Sequence, residues 1–295
     1  MLTTLALLAT LAADFEIKDE KAFAKLFPKG AKVERLATDM QFIEGPIWIT
    51  KQNKLIFSDI PANELKQWTR AKGVEPFRKP TNNTNGNTLD RQGNLISAEH
   101  TAHRLSRTLP DGKIETIVEQ FEGKDLNSPN DVVVKSDGSL WFTDPDYGLG
   151  QRKKVQAGNY VYRYDPKSKQ LQPVAKDFDK PNGLCFSKDE SKLYIADSGT
   201  PRHIRVFNVS ADGTSLTGGN VFTKIDKGGP DGIRCDSKGN VWSSTGDGAQ
   251  IFAPDGHLIA RVLLPEAGAN VELGGGMLFI TARKSLYAVP IKAKK

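Results

Sequence analysis

One sequence pattern recurs along this chain of 295 residues and restricts what it can fold into. In its full form an oxygen-bearing residue is followed by an apolar strand, a polar or glycine turn and a second apolar strand. Five copies read EGPIWITKQNKLIFSD (44–59), NGNTLDRQGNLISAE (85–99), NDVVVKSDGSLWFTD (130–144), NGLCFSKDESKLYIAD (182–197) and DGIRCDSKGNVWSST (231–245). A degenerate sixth copy reads ANVELGGGMLFIT (269–281). A period of roughly 40–50 residues with two strands and a turn is typical of propeller blades.

A second turn follows within most repeats, as in LPDGK (109–113) and APDGH (253–257), so each blade should contain four strands. The strand-like segment Lys32–Ala37 can pair beside Ser285–Ile291, which would close the last blade and remove an exposed edge. We therefore predict an all-β fold, a six-bladed β-propeller over residues 31–295. Residues 14–30 would form an N-terminal extension with a short helix near Asp19–Phe27.

The first 13 residues, MLTTLALLATLAA, are apolar and end in small residues. They are too short to span a bilayer and fit a signal peptide cleaved near Ala12 or Ala13, although a positive n-region is missing. Export to the periplasm or medium is the prediction; a frayed terminus on a cytoplasmic protein is the alternative.

The net charge of +6 is spread over alternating acidic and basic residues. No basic block is interleaved with aromatic residues, so we expect no nucleic-acid partner. No later segment is apolar enough for a membrane span, so we expect no membrane partner either. The oligomeric state is left open.

The two cysteines, Cys185 and Cys235, lie in the fourth and fifth repeats and outside any CxxC motif. Counted from the repeat starts, Cys185 is third and Cys235 fourth, and successive strand residues face opposite ways. This count predicts two free, buried thiols that point apart.

Four repeat starts carry side-chain oxygen atoms at equivalent places, namely Glu44, Asn130, Asn182 and Asp231. In a propeller, equivalent strand starts converge on the central channel. Two carboxylates and two amides meeting there predict a site for a hard divalent cation. The ends of the second strands should ring the same mouth, which places Glu99, His100 and Tyr147 there.

These motifs together resemble the SMP-30/gluconolactonase family of six-bladed propellers, from about residue 30 to residue 290. The similarity is carried by EGPIW, NGNTLDRQGNL, LNSPNDVVVKSDGSLWFTDPDYG, PNGLCFSKDESKLYIADS and PDGIRCDSKGNVW. It implies a channel cation, commonly Ca²⁺, with Mg²⁺, Mn²⁺ or Zn²⁺ as alternatives. The implied ligands are Glu44, Asn182 and Asp231, and Asn130 would bind the metal or a metal-bound water.

The resemblance implies hydrolysis of a sugar lactone such as glucono-1,5-lactone. Asp231 or Asp131 would be the catalytic base, and the sequence does not decide between them. The predicted substrate contacts are Asn130, Glu99, His100 and Tyr147. This chain has Asp146 where the family often has proline, and its sixth repeat reads Ala269-Asn270, which keeps Asn270 out of the predicted metal shell.

Two alternatives remain at this stage. The same propeller and cation would also suit a hydrolase of other lactones or of phosphotriesters. A non-catalytic propeller that binds a partner or a carbohydrate at its mouth is the second alternative, because the fold alone does not establish activity.

Overall fold

The computed structural model describes residues 14–292. Within this range, 24 strands form six four-stranded antiparallel blades around one axis, which confirms the predicted six-bladed propeller. Each blade runs from an innermost strand A to an outermost strand D. The signal-peptide prediction concerns residues 1–13, which lie outside the described residues.

The strands of the six blades are as follows, in the order A to D. Blade 1 comprises Ile43–Ile49, Lys54–Asp59, Glu64–Thr69 and Gly73–Arg78, and blade 2 comprises Thr84–Leu89, Leu95–Glu99, Arg104–Thr108 and Ile114–Val118. Blade 3 comprises Val132–Val134, Leu140–Asp144, Asn159–Asp165 and Gln170–Phe178, and blade 4 comprises Pro181–Phe186, Lys192–Asp197, His203–Val209 and Leu216–Lys224. Blade 5 comprises Ile233–Cys235, Val241–Thr245, Gly248–Phe252 and Leu258–Leu263, and blade 6 comprises Asn270–Gly274, Met277–Ala282, Ser285–Pro290 and Glu34–Ala37.

The N-terminal strand Glu34–Ala37 pairs antiparallel with Ser285–Pro290, so the ring closes as predicted. The segment before it packs against the propeller. Phe15–Ile17 adds a fifth strand to the outer edge of blade 5, and the helix Glu20–Leu26 begins at Asp19, whose carboxylate accepts a hydrogen bond of 2.9 Å from Ala22 N. Phe27 then packs against Trp242 of blade 5. This extension is therefore held to the ring by strand pairing and by apolar contacts.

A small hairpin, Gln120–Phe121 with Lys124–Asp125, and two 3-10 turns, Thr50–Gln52 and Tyr147–Leu149, complete the secondary structure. Among residues 14–292, no helix is long and apolar enough to cross a bilayer.

Apolar side chains on the two faces of each blade pack against the neighbouring blades. Between blades 3 and 4, for example, Trp141, Val161, Leu184 and Ile195 are fully buried in one cluster. Contacts between the A strands of successive blades run right around the axis. This packing fixes the positions at which the A strands begin, and therefore the positions of their first side chains.

The glycine after a repeat start lets neighbouring blades approach. A side chain on Gly232 would place its Cβ 1.9 Å from Asn270 of blade 6, and one on Gly45, whose φ is +53°, would meet the Asn85 carbonyl oxygen at 2.0 Å. A Cβ on Gly86 or Gly183 would likewise lie too close to the next blade, at 2.5 and 2.4 Å from the nearest atom. Their backbone N–H groups donate to the carbonyl oxygens of Asn130 and Asp231 in the next blade. The glycine is thus what brings the repeat starts together.

Cys185 and Cys235 form a disulfide with their Cα atoms 5.9 Å apart, so the prediction of two free thiols is wrong. The two cysteines do lie on opposite faces of their blades, but this does not keep their sulfur atoms apart. Blades 4 and 5 stack face to face, so a residue on one face of blade 4 meets a residue on the opposite face of blade 5. Both cysteines belong to the apolar cluster between these blades.

Candidate active site

A cavity of about 310 Å³ opens at the mouth of the channel where the A strands begin. Its lining comprises Phe42, Glu44, Ile60, Asn85, His100, Asn130, Tyr147, Asn182, Ser198 and Asp231. All four predicted metal ligands are in this set. The structure therefore brings together side chains that are as much as 187 positions apart in the chain, from Glu44 to Asp231.

Glu44 and Asp231 are the two carboxyl groups that line the cavity, and both are buried. Burial, followed by the charges of Asp231 and Asp131, raises the pKa of Glu44 well above its usual range. Burial and the charge of Asp131 raise the pKa of Asp231 to about 7. No lysine or arginine side chain lines this cavity, so nothing positive in its wall compensates these acids.

The donor set suits a hard cation. The Oδ1 atom of Asn182 is buried without a hydrogen-bond partner, which is costly unless another group uses it. A cation coordinated by Glu44, Asn130, Asn182 and Asp231 would satisfy that oxygen and offset the repulsion between the carboxylates. No group of three or more His, Cys, Asp or Glu side chains that could hold a metal occurs within residues 14–292, so the amides are essential to this set.

Asp131 is buried and does not line the cavity. It occupies the position where other repeats have glycine, and its Oδ1 accepts a hydrogen bond of 3.0 Å from Val132 N. Arg234 Nη1 is 3.5 Å from Asp131 Oδ2, while Arg234 Nε donates to Glu272 at 2.7 Å. Burial raises the pKa of Asp131, and the charge of Arg234 opposes that rise. This buried ionic group forms the floor of the site.

His100 lines the cavity wall beside Asn85, and its Nε2 is 3.3 Å from Asn85 Nδ2. Burial, with a smaller contribution from His103, lowers the pKa of His100 to about 4, so the ring is neutral at neutral pH. Gly148 rests against this ring, because a Cβ there would lie 2.5 Å from His100 Cγ. His100 is therefore a neutral, fixed hydrogen-bonding group.

Glu99 does not line the cavity. Its carboxylate accepts hydrogen bonds from Asn82 Nδ2 and Arg104 Nε, both at 2.8 Å, and from the Ser106 hydroxyl. The equivalent acids at the ends of other B strands, Asp59, Asp144 and Asp197, instead accept backbone N–H groups of the segments that lead into their blades. All four acids thus bond to the segment that leads into their blade, and the structure places Glu99 outside the cavity lining.

Tyr147 lines the cavity from the turn Tyr147–Leu149, in the same wall as Asn182 and Ser198. Burial and the charge of Asp231 raise the pKa of its hydroxyl to about 12, and the nearby polar groups of Ser198 and Asn182 oppose that rise. The residue as a whole remains 45% exposed.

Asn85 was missed as a site residue, although it begins the second repeat and therefore held the same signal as the four predicted ligands. Its Oδ1 is buried without a partner at the cavity, as in Asn182. Phe42, Ile60 and Ser198 belong to connecting segments outside the strands. The repeat pattern does not predict which residues of these segments line the cavity.

The SMP-30/gluconolactonase/LRE-like region is matched over residues 42–284, which spans all six A strands. The chain belongs to this family. It is 32% identical over 290 residues to a gluconolactonase of Zymomonas mobilis, covering 88% of this chain and 81% of that protein. The structure of a Xanthomonas campestris gluconolactonase, 33% identical, superposes with a TM-score of 0.90 and covers 95% of each chain.

The same fold occurs in regucalcin of Agrobacterium tumefaciens, described as a calcium-binding protein. That structure is 22% identical, with a TM-score of 0.74, and the comparison covers 88% of this chain and 94% of regucalcin. At this level of identity the similarity concerns the fold.

Proposed function

We propose that the protein is a lactonase that hydrolyses a monocyclic sugar lactone, such as glucono-1,5-lactone, to the open acid, with a divalent cation in the cavity. The observation that carries this proposal is the convergence of Glu44, Asn130, Asn182 and Asp231 at one cavity. Relatives named as gluconolactonases cover nearly the whole chain, which supports the substrate class.

A cation bound by these four residues would polarise the lactone carbonyl and lower the pKa of a bound water. We take Ca²⁺ as the first candidate because all four ligand atoms are oxygen, with Mg²⁺, Mn²⁺ and Zn²⁺ as the alternatives.

Between the two candidate bases, we favour Asp231. Its carboxyl group lines the cavity, whereas Asp131 is paired below it with Arg234. Asp231 would accept the proton of the attacking water and return it to the ring oxygen as the lactone opens. Asp131 would hold Arg234 in the floor and adjust the charge felt by Asp231.

The remaining lining residues would orient the ring. Asn85 and Asn130 offer amide groups to sugar hydroxyls, and neutral His100 offers a ring nitrogen. Phe42 and Ile60 would contact the apolar faces of the sugar. A cavity of about 310 Å³ suits one sugar ring better than a disaccharide.

A substrate panel tests the reaction class. We expect the Ca²⁺-loaded protein to prefer glucono-1,5-lactone over dihydrocoumarin and over the phosphotriester paraoxon, with Asp231→Asn inactive on all three. Preference for the phosphotriester or the aromatic lactone would support the alternative hydrolase. No turnover of any of them by folded, metal-loaded protein would support the binding propeller.

We also propose export. The disulfide between Cys185 and Cys235 is typical of proteins that fold in an oxidising compartment. Fractionation of the native host should place the protein outside the cytoplasm. Recovery in the cytoplasm with reduced cysteines would refute this.

A further inference from the structure

Lys180 lies two residues before the cavity residue Asn182, and its ammonium group contacts both Asp146 and the neighbouring Tyr147. It forms an ion pair and hydrogen bond with the Asp146 carboxylate, and its Nζ lies 5.6 Å from the centroid of the Tyr147 ring. Lys180 is thus joined to two consecutive residues, one by charge and one by a cation–π contact.

The turn that carries Tyr147 rests on the cavity. Tyr147 lines the cavity together with Asn182 and Ser198, and Gly148 packs on His100. The Gly148 N–H donates to the Ser128 hydroxyl at 2.8 Å. Displacement of this turn would therefore move one lining residue, Tyr147, and the backbone that packs on another, His100.

We propose that Lys180 is a positioning residue that holds the Tyr147 turn over the cavity mouth, and so sets the affinity for the lactone. This inference rests on the proposed function. It assigns to Lys180 no contact with the substrate: Lys180 acts through Tyr147, which covers the cavity and presents its hydroxyl to a bound sugar.

Lys154 provides a matched control. Its Nζ is 3.5 Å from the same Asp146 carboxylate, and its side chain is 29% exposed against 32% for Lys180. Lys154 also donates to Asn159 Oδ1 at 2.6 Å, but among the cation–π contacts of the described residues it has none with Tyr147. Removing either lysine changes the net charge equally, and only Lys180 joins Asp146 to the tyrosine ring.

The first measurement is amide hydrogen exchange of a peptide covering residues 146–152, which needs no catalytic activity. We expect Lys180→Met to speed exchange at Gly148 about five- to tenfold, and Lys154→Met to leave it within about twofold of wild type. Lys180→Arg, which keeps the cation and the ring contact, should restore slow exchange. Equal exchange in the two methionine variants would overturn the proposal.

The second measurement is steady-state hydrolysis of glucono-1,5-lactone. Lys180→Met should raise KM about five- to tenfold with kcat within about twofold, and this change should be absent in a Tyr147→Ala background. A fall in kcat without a change in KM, or an effect that persists without Tyr147, would overturn the positioning role. If wild type hydrolyses no lactone, the proposed function fails, and the exchange experiment still decides whether Lys180 holds the turn.

Discussion

The side-chain amide of Asn270 donates a hydrogen bond of 2.8 Å to Oε2 of Glu44. The first and sixth repeats thus meet directly at the site, and the carbonyl end of the same amide accepts a hydrogen bond from Val271 N at 2.8 Å. Asn270 is therefore fixed at both ends and orients the Glu44 carboxylate toward the cavity. The offset of the sixth repeat places this residue behind a proposed ligand.

Replacing Asn270 with alanine should weaken Ca²⁺ binding about 10- to 100-fold, because Glu44 would lose the donor that orients it. Titration calorimetry on chelator-treated protein measures this. Asn208→Ala, at an exposed position, serves as the control and should bind Ca²⁺ as wild type does. Unchanged affinity in Asn270→Ala would show that Glu44 is oriented without this hydrogen bond.

Arg234→Met should lower the free energy of unfolding by about 3–5 kcal/mol, because it leaves the buried carboxylates of Asp131 and Glu272 without their shared cation. Guanidinium denaturation followed by tryptophan fluorescence measures the loss. Arg70→Met, at an exposed position, should change stability by less than about 0.5 kcal/mol. A loss for Arg234→Met as small as that for Arg70→Met would mean that the floor of the site does not depend on this pairing.

His100 should make stability fall at acidic pH. Its folded pKa of about 4 lies below the usual 6.5, so between these values the unfolded chain takes up a proton that the folded protein excludes. This lowers the free energy of unfolding by up to about 3 kcal/mol as the pH drops from about 6.5 to about 4. His100→Gln should remove that part of the pH dependence, and His257→Gln, at the surface, should retain it. Parallel pH profiles for wild type and His100→Gln would contradict the burial of a neutral ring.

Removing the disulfide should destabilise the protein by about 4 kcal/mol, the chain-entropy value for a loop of 50 residues. The comparison is between wild type and Cys185→Ser/Cys235→Ser in thermal or denaturant unfolding. Wild type in reducing agent should approach the double variant. A double variant as stable as wild type would show that packing between blades 4 and 5 suffices without the bond.

The six-bladed ring could be predicted because the same pattern of two strands and a turn repeats along the sequence. Each repeat start, such as Glu44 or Asp231, has the same position relative to its strands. Residues at equivalent positions in the repeats therefore come together at one end of the channel. The strand Glu34–Ala37 was equally predictable, since a propeller must cover the open edge of its last blade.

The features that could not be predicted depend on which blade faces pack together and on side-chain contacts between repeats. The alternation of strand residues did show that Cys185 and Cys235 face opposite ways, but only the stacking of blades turns that into a bond. Glu99 was predicted at the cavity because it ends a B strand. In the structure, its carboxylate instead binds Asn82 in the segment that leads into blade 2. Contacts such as Lys180 with Tyr147 join segments 33 positions apart in the chain and leave no periodic signal.

The central claim, a cation-dependent lactonase site built by Glu44, Asn130, Asn182 and Asp231, is tested most directly by removing and restoring the metal. Chelator-treated wild type, Glu44→Gln and the surface control Glu115→Gln would be titrated with Ca²⁺ while hydrolysis of glucono-1,5-lactone is followed by pH-stat, corrected for spontaneous opening. We predict that activity disappears on chelation and returns with about one Ca²⁺ per chain in wild type and Glu115→Gln, but not in Glu44→Gln. Full turnover by metal-free wild type, or by Glu44→Gln, would contradict the account.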